Sequence, residues 1–375
     1  MADWPQWRGP NRNGISAETG LLSSFPAGGP RKLWSANVGS GFSTVAISKG
    51  RAFTLGNYQE QDFVSCLNAL TGKIIWAYKY PQGAGDYSGP RATPTINADK
   101  VYTFSREGLA LCLDAGTGKV LWQKNIAQEI RSSAPRWGYA GSPLIVGNLV
   151  IYNVGTGGAA LDKNTGRTVW TSGGEVSGYA SPVAFTAGSK SGVAIFGKDS
   201  LKAVDSGSGR ILWQYPWQTA YDVNAADPIF SGDSVFISSN YGKGGSVLRI
   251  TGGKPTPVWE NRSMKNHFNS CVLVGGTLYG NDENTLRGID FATGAERWSM
   301  RGMDKGGLIA ADGKLIALTG RGELTLIRAV PSAFTEIGRA KILSGDCWAH
   351  PVLANGLLYC RNHEGNLICL DMRRS

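Results

Sequence analysis

The chain has 375 residues, of which 42% are hydrophobic and 18% charged. This is a globular composition with ample core material, and it excludes a disordered or fibrous class. Thirty-eight Lys and Arg against 28 Asp and Glu leave a net charge of +10, but no run of five like charges occurs. The excess reads as a spread surface field, and without a basic stripe or motif no nucleic-acid partner is expected.

The first element in chain order is the segment 1–30, opening "MADWPQWRGPNRNG". Its Gly and Pro content rules out a helix, and tryptophans as close as Trp4 and Trp7 are not expected to stay in water. It is expected to pack against the body of the protein and seal part of one face. It lacks the basic and apolar regions of a signal peptide, and no transmembrane span is evident in the chain. The next stretch, "PRKLWSANVG", reads as a single strand carrying Trp34.

From there one pattern recurs. Trp76, Trp122, Trp170, Trp213 and Trp298 are each preceded at four residues by a glycine: Gly72, Gly118, Gly166, Gly209 and Gly294. At eight residues stand Asn68, Asp114, Asp162, Asp205 and Asp290. Trp259 ends a weaker copy, with Thr251 and Pro255 at those places. Successive tryptophans lie 46, 48, 43, 46 and 39 residues apart, a period that signals a propeller or solenoid. The Asp or Asn starts a turn by accepting from backbone N–H groups two residues on, and the glycine supplies the positive φ that closes it. Alternating apolar residues on both sides, and a second hairpin ahead of each copy, give four strands per repeat.

The expected fold is therefore an all-β propeller of four-stranded antiparallel blades. Trp34, Trp76, Trp122, Trp170, Trp213, Trp259 and Trp298 are assigned to blade-to-blade packing, each ring covering the next blade's turn glycine. The C-terminal "NLICLDMRRS" carries the Leu-Asp half of the motif and Trp34 the other half, so one blade should combine both ends and close the ring. A degenerate copy at 324–342, with Ile337 or Phe334 in the tryptophan's place, brings the count to eight; seven is the competing count. Residues 31–375 then form one domain.

Loops entering the innermost strands share one face around the central channel, where sites usually lie. From them come ten candidate ligand-binding residues: Arg91, Tyr139, Tyr179, Asn224, Asp227, His267, Asn269, Lys305, Trp348 and His350. Aromatic faces beside planar polar groups suit a carbohydrate or another small polar ring ligand. His267, His350, Asp227, Lys305 and Arg91 form an alternative acid–base set, as in a polysaccharide lyase or hydrolase. No catalytic residue is assigned. No spacing gathers metal ligands, so no metal is assigned either. The six cysteines show no CxxC and no adjacent pair, and are expected to be half-buried thiols.

The motif LDxxTGxxxW and the opening "DWPQWRGPNRNG" resemble the PQQ-type repeat of quinoprotein-like, BamB-like β-propellers. The resemblance implies an exported, periplasmic bacterial protein, acting as a monomer that binds or scaffolds a protein partner or small ligand. Quinoprotein dehydrogenases carry a vicinal disulfide over their cofactor and insertions that build a calcium and quinone pocket. Neither is evident in this chain, so no cofactor is expected, and a dehydrogenase dependent on PQQ and calcium stands as the weaker form of the enzymatic alternative.

Overall fold

The protein, in a computed structural model, is described for residues 2–83, 85–187 and 190–374. Among these residues eight sheets of antiparallel strands follow one another around a ring. Seven are continuous in sequence: 46–81, 95–125, 144–171, 183–216, 229–261, 272–301 and 307–341, here blades 1 to 7. Blade 8 takes Val352–Ala354, Leu357–Arg361 and Asn366–Asp371 from the C-terminal end. Its outermost strand is Arg31–Asn37, with Trp34 paired to Cys369. The ring is thus closed by its own two ends, and the count is eight.

Each repeat position has a visible task. Asp114 accepts at Oδ1 from the backbone N–H and the hydroxyl of Thr117, both at 2.8 Å, and the N–H of Gly118 donates to the Asp114 carbonyl at 2.8 Å. Asp162, Asp205 and Asp290 repeat this with Thr165, Ser208 and Thr293. The main acceptor contact therefore reaches three residues on, because the Thr or Ser at that place adds its hydroxyl. At Gly166, φ is +71° and a Cβ would lie 2.7 Å from the Trp122 ring, so both backbone and packing demand glycine.

The tryptophans bridge neighbours. Indole N–H groups of Trp34, Trp76, Trp122, Trp170, Trp259 and Trp298 donate to carbonyls of Ala69, Ala115, Lys163, Ser206, Phe291 and Val330, each in the next blade's turn. Trp213 faces blade 5, whose tight turn at 251–254 lacks the aspartate and its spaced glycine, and it packs with Leu248 and Ile250 of that blade. The core lies between blades. Leu144, Ile151 and Trp170 of blade 3 meet Val193, Ile195 and Val204 of blade 4, all nearly inaccessible. The six cysteines are free thiols, and they are fully buried rather than half-buried: Cys66, Cys112, Cys360 and Cys369 occupy strand positions inside these packed layers, and Cys271 and Cys347 lie in loops leading into the inner strands of blades 6 and 8.

Blade 7 corrects one expectation. The register that places Trp122 opposite Cys112 places Gly338 opposite Leu326, so neither Ile337 nor Phe334 holds the tryptophan's position. Phe25 of the N-terminal segment lies over Gly338, its ring 2.9 Å from where a Cβ would stand. A ring borrowed from elsewhere in the chain thus fills the gap. Phe334 instead packs edge-on to Trp298 at 5.6 Å.

The N-terminal segment does more than cover a face: it enters the channel. Trp4 bridges to Ile47 of blade 1, Pro5 accepts from Ile96 of blade 2, and Arg12 donates to the carbonyls of Ser142 and Pro143 beside blade 3. Arg8 donates to the Cys271 carbonyl at blade 6. Ile15–Ser16 then adds a fifth, parallel strand to the innermost strand of blade 7, with Ile15 opposite Ala310. Glu18 accepts from Asn355 and Gly356 of blade 8. The segment therefore plugs the ring it later helps to close.

Candidate functional site

Above the plug, on the face of the inner-strand loops, lies a cavity of about 270 Å³. All eight blades reach it through these loops. Trp7, half-buried, lines it from the plug, and Tyr241 joins from the central hairpin of blade 5.

Two aromatic walls rise from it. In one, Phe42 is sandwiched between Trp348 at 5.3 Å and His363 at 4.6 Å, with interplanar angles of 14° and 19°. Phe268 extends that wall at 4.9 Å from Trp348. In the other, Trp137 packs against Tyr179 at 6.0 Å. Three rim tyrosines adopt left-handed backbone, Tyr87 at φ 50°, Tyr221 at 63° and Tyr241 at 57°. Such conformations cost a bulky residue about 1–2 kcal/mol each and are concentrated at functional sites. Here they present exposed rings at the mouth.

The polar groups are few. Asp227, fully buried, accepts from the Ser181 backbone N–H at 2.9 Å and from the Trp7 indole at 2.5 Å, and the Arg8 guanidinium lies 4.0 Å away. Burial pushes the Asp227 carboxyl up, against the pull of Arg8 and Arg12. Arg91 lies over Phe42 and donates to the carbonyls of Asp86, Tyr87 and Gly89 at 3.0–3.1 Å. Burial, helped by the charge of Arg106, lowers it to about 10, so it remains a cation at neutral pH. Lys305 lines the cavity half-exposed.

Of the ten sequence candidates, Arg91, Tyr179, Asp227, His267, Lys305 and Trp348 line the cavity together. The other four stand behind it. Tyr139 is buried against Phe104 and bonds Ser132 at 3.1 Å. Asn224 donates to the carbonyls of Gly197, Lys198 and Trp217 and accepts from Ser239, which makes it a clamp between its own loop and the central hairpin of blade 4. Asn269 is buried. His350 is buried edge-on to Trp7 at 4.8 Å. Trp7, Phe42, Phe268 and Tyr241 were not foreseen. Phe42 and Phe268 sit in inner-strand loops, where their apolar character looks like core, and Trp7 reaches the cavity only through the plug.

His267 bonds the Tyr241 hydroxyl at 3.0 Å, and its Nδ1 is buried without a partner. Burial and then the charge of Lys305 lower its pKa to about 4; burial and then Arg8 lower that of His350 to about 3. Below pH ~6.5 the unfolded chain takes up protons that the folded imidazoles refuse, so stability falls as pH drops from 6.5 toward 4. Asp62, raised to about 6 by burial, acts in the opposite direction, so variants rather than the parent slope isolate the imidazoles. In urea titrations at pH 7 and 4.5, His350→Phe is expected to lose on the order of 2–3 kcal/mol less than the parent chain. Equal losses would remove His350 from the account.

The fold is shared widely. BamB from Moraxella catarrhalis superposes with a TM-score of 0.70 at 17% identity, over 92% of this chain and 98% of that one. A europium-containing methanol dehydrogenase gives 0.71 at 14% identity, covering 96% and 89%. A quinohemoprotein alcohol dehydrogenase from Comamonas testosteroni gives 0.72 at 16%, covering 100% and 81%. At such identities the likeness is one of fold. No curated protein sequence matches the chain. The PQQ-like repeat model described as outer membrane protein assembly factor BamB matches residues 63–300, well over half the sequence. With that match, eight blades and the recurring Asp-Gly-Trp turn, the chain belongs to the BamB-like family of PQQ-type β-propellers.

Proposed function

We propose that the protein is an exported binding protein that holds a small polar ring ligand in the cavity at the channel mouth. One observation carries this reading: a cavity of about 270 Å³ walled by aromatic rings, with a few fixed polar groups, close to the lower end of ligand sites at ~300 Å³. The family's description as an outer-membrane assembly factor supports export. Among the described residues no helix is long and apolar enough to cross a membrane.

The quinone and calcium pair of the dehydrogenases does not suit these residues. Among the described residues no three His, Cys, Asp or Glu side chains converge, and no two cysteines are adjacent. Asp227, the carboxylate of the cavity lining, is already engaged by Trp7, Ser181 and Arg8. The same engagement favours holding a ligand over exchanging its protons.

Tryptophan fluorescence titration against a panel of mono- and disaccharides and small aromatic acids tests the reading. Binding by the parent chain is expected, weakened about tenfold or more in Trp348→Ala with the melting temperature nearly unchanged, since that ring is half-exposed. Binding that Trp348→Ala leaves intact, or none from any member, would overturn it.

A further inference from the structure

The charges that face the cavity are unequal in their freedom. Asp227 is occupied on both oxygens and lies against Arg8. Arg91 is pinned by three carbonyls beside the Phe42 ring. Lys305 differs: among the described residues its ammonium makes no hydrogen bond or ion pair, although it lines the same cavity. Next to it, the buried Nδ1 of His267 has no partner. A free ammonium and a fixed guanidinium around one apolar hollow call for a partner of opposite charge.

The walls specify the rest of that partner. Trp348 and His363 both stack on Phe42, and Trp137 packs at a tilt against Tyr179, so each wall offers a single aromatic face rather than a slot between two. A flat aromatic ligand gains most between two faces. A sugar ring has one apolar face and needs one platform, with hydroxyl partners on its other side. Ser142, Ser181 and Tyr241 are among the lining residues, their hydroxyls bonded to the Thr93 N–H, the Ser142 N–H and the His267 ring.

We infer that the ligand is a carboxylated sugar of the uronic acid class, its carboxylate read by Lys305 and its ring resting on the Trp348 wall. This rests on the ring-ligand reading above.

Isothermal titration with di- and trisaccharides of galacturonate, glucuronate and mannuronate, each against its neutral hexose counterpart and against 4-hydroxybenzoate, tests the inference. At least one uronate series is expected to bind, at least about tenfold more tightly than its neutral counterpart, and less tightly as salt is raised. Lys305→Met is expected to erase most of that preference while binding of the neutral sugar stays where it was, and Lys305→Arg to restore part of it. Neutral sugars binding as well as uronates, or Lys305→Met keeping the preference, would overturn the inference and leave the ring-ligand reading standing. Tighter binding of 4-hydroxybenzoate than of any uronate would overturn the sugar class, and binding of none of the probes would sink both.

Discussion

Replacing Trp122 with alanine is expected to cost the propeller about 3–5 kcal/mol in urea or thermal unfolding. The ring is 8% exposed, donates its indole N–H to the Lys163 carbonyl at 3.0 Å, and covers Gly166 of the next blade. Removing it leaves a hollow between blades 2 and 3, and the Lys163 carbonyl keeps only the Tyr102 hydroxyl as a donor. The pairing with glycine gives a stricter test. Gly166→Ala is destabilising for two reasons, its φ of +71° and the 2.7 Å approach to Trp122. In a Trp122→Ala background only the backbone penalty of ~1–2 kcal/mol remains. A double-mutant cycle should therefore show the two losses to be less than additive. Full additivity would mean that ring and glycine do not share an interface.

Asp227→Ala is expected to cost a comparable ~3–5 kcal/mol, although it removes only a carboxylate. Arg8 is 2% exposed and would be left buried without its counter-charge, and the Trp7 indole would lose its acceptor. The expected result is a lowered melting temperature, and cleavage by protease within residues 4–16, as the plug leaves the channel more often. The double variant Arg8→Met with Asp227→Ala should regain part of the loss, because one of the two buried guanidiniums that faced the carboxylate is then gone, Arg12 being the other. A double variant as weak as the sum of its parts would show that the ion pair is not what holds the plug.

Much of the architecture was legible because it repeats. An aspartate, a glycine and a tryptophan at fixed spacing do the same local work in blade after blade, and a motif split between the two ends can be rejoined on paper. The part that repetition does not cover was harder to read. Gly338 is masked because its missing ring arrives from Phe25, which no spacing rule connects to it. The plug has no period at all, and its anchor joins Trp7 to Asp227 across 220 residues. Site residues were legible by loop but not by direction. Tyr139, Asn224, Asn269 and His350 lie in the same ring of inner-strand loops as Arg91 and Lys305, yet they turn inward. Polar side chains of loops that dip into a channel are drawn first to buried backbone groups, as Asn224 is to three carbonyls, two of them in the central hairpin of blade 4.

The composite blade also sets a timetable for the growing polypeptide. Arg31 bonds Asp371, 340 positions further along. At ribosomal speeds of ~5–20 residues per second, the early strand waits on the order of 20–70 s for its mate. Throughout that interval a nascent chain carries an unmatched β-edge at its leading end and an unfinished circle behind it, the exposure that invites pairing with a neighbouring copy. A holdase shielding residues 31–37 until release of the last strand would therefore raise the yield of correctly assembled molecules.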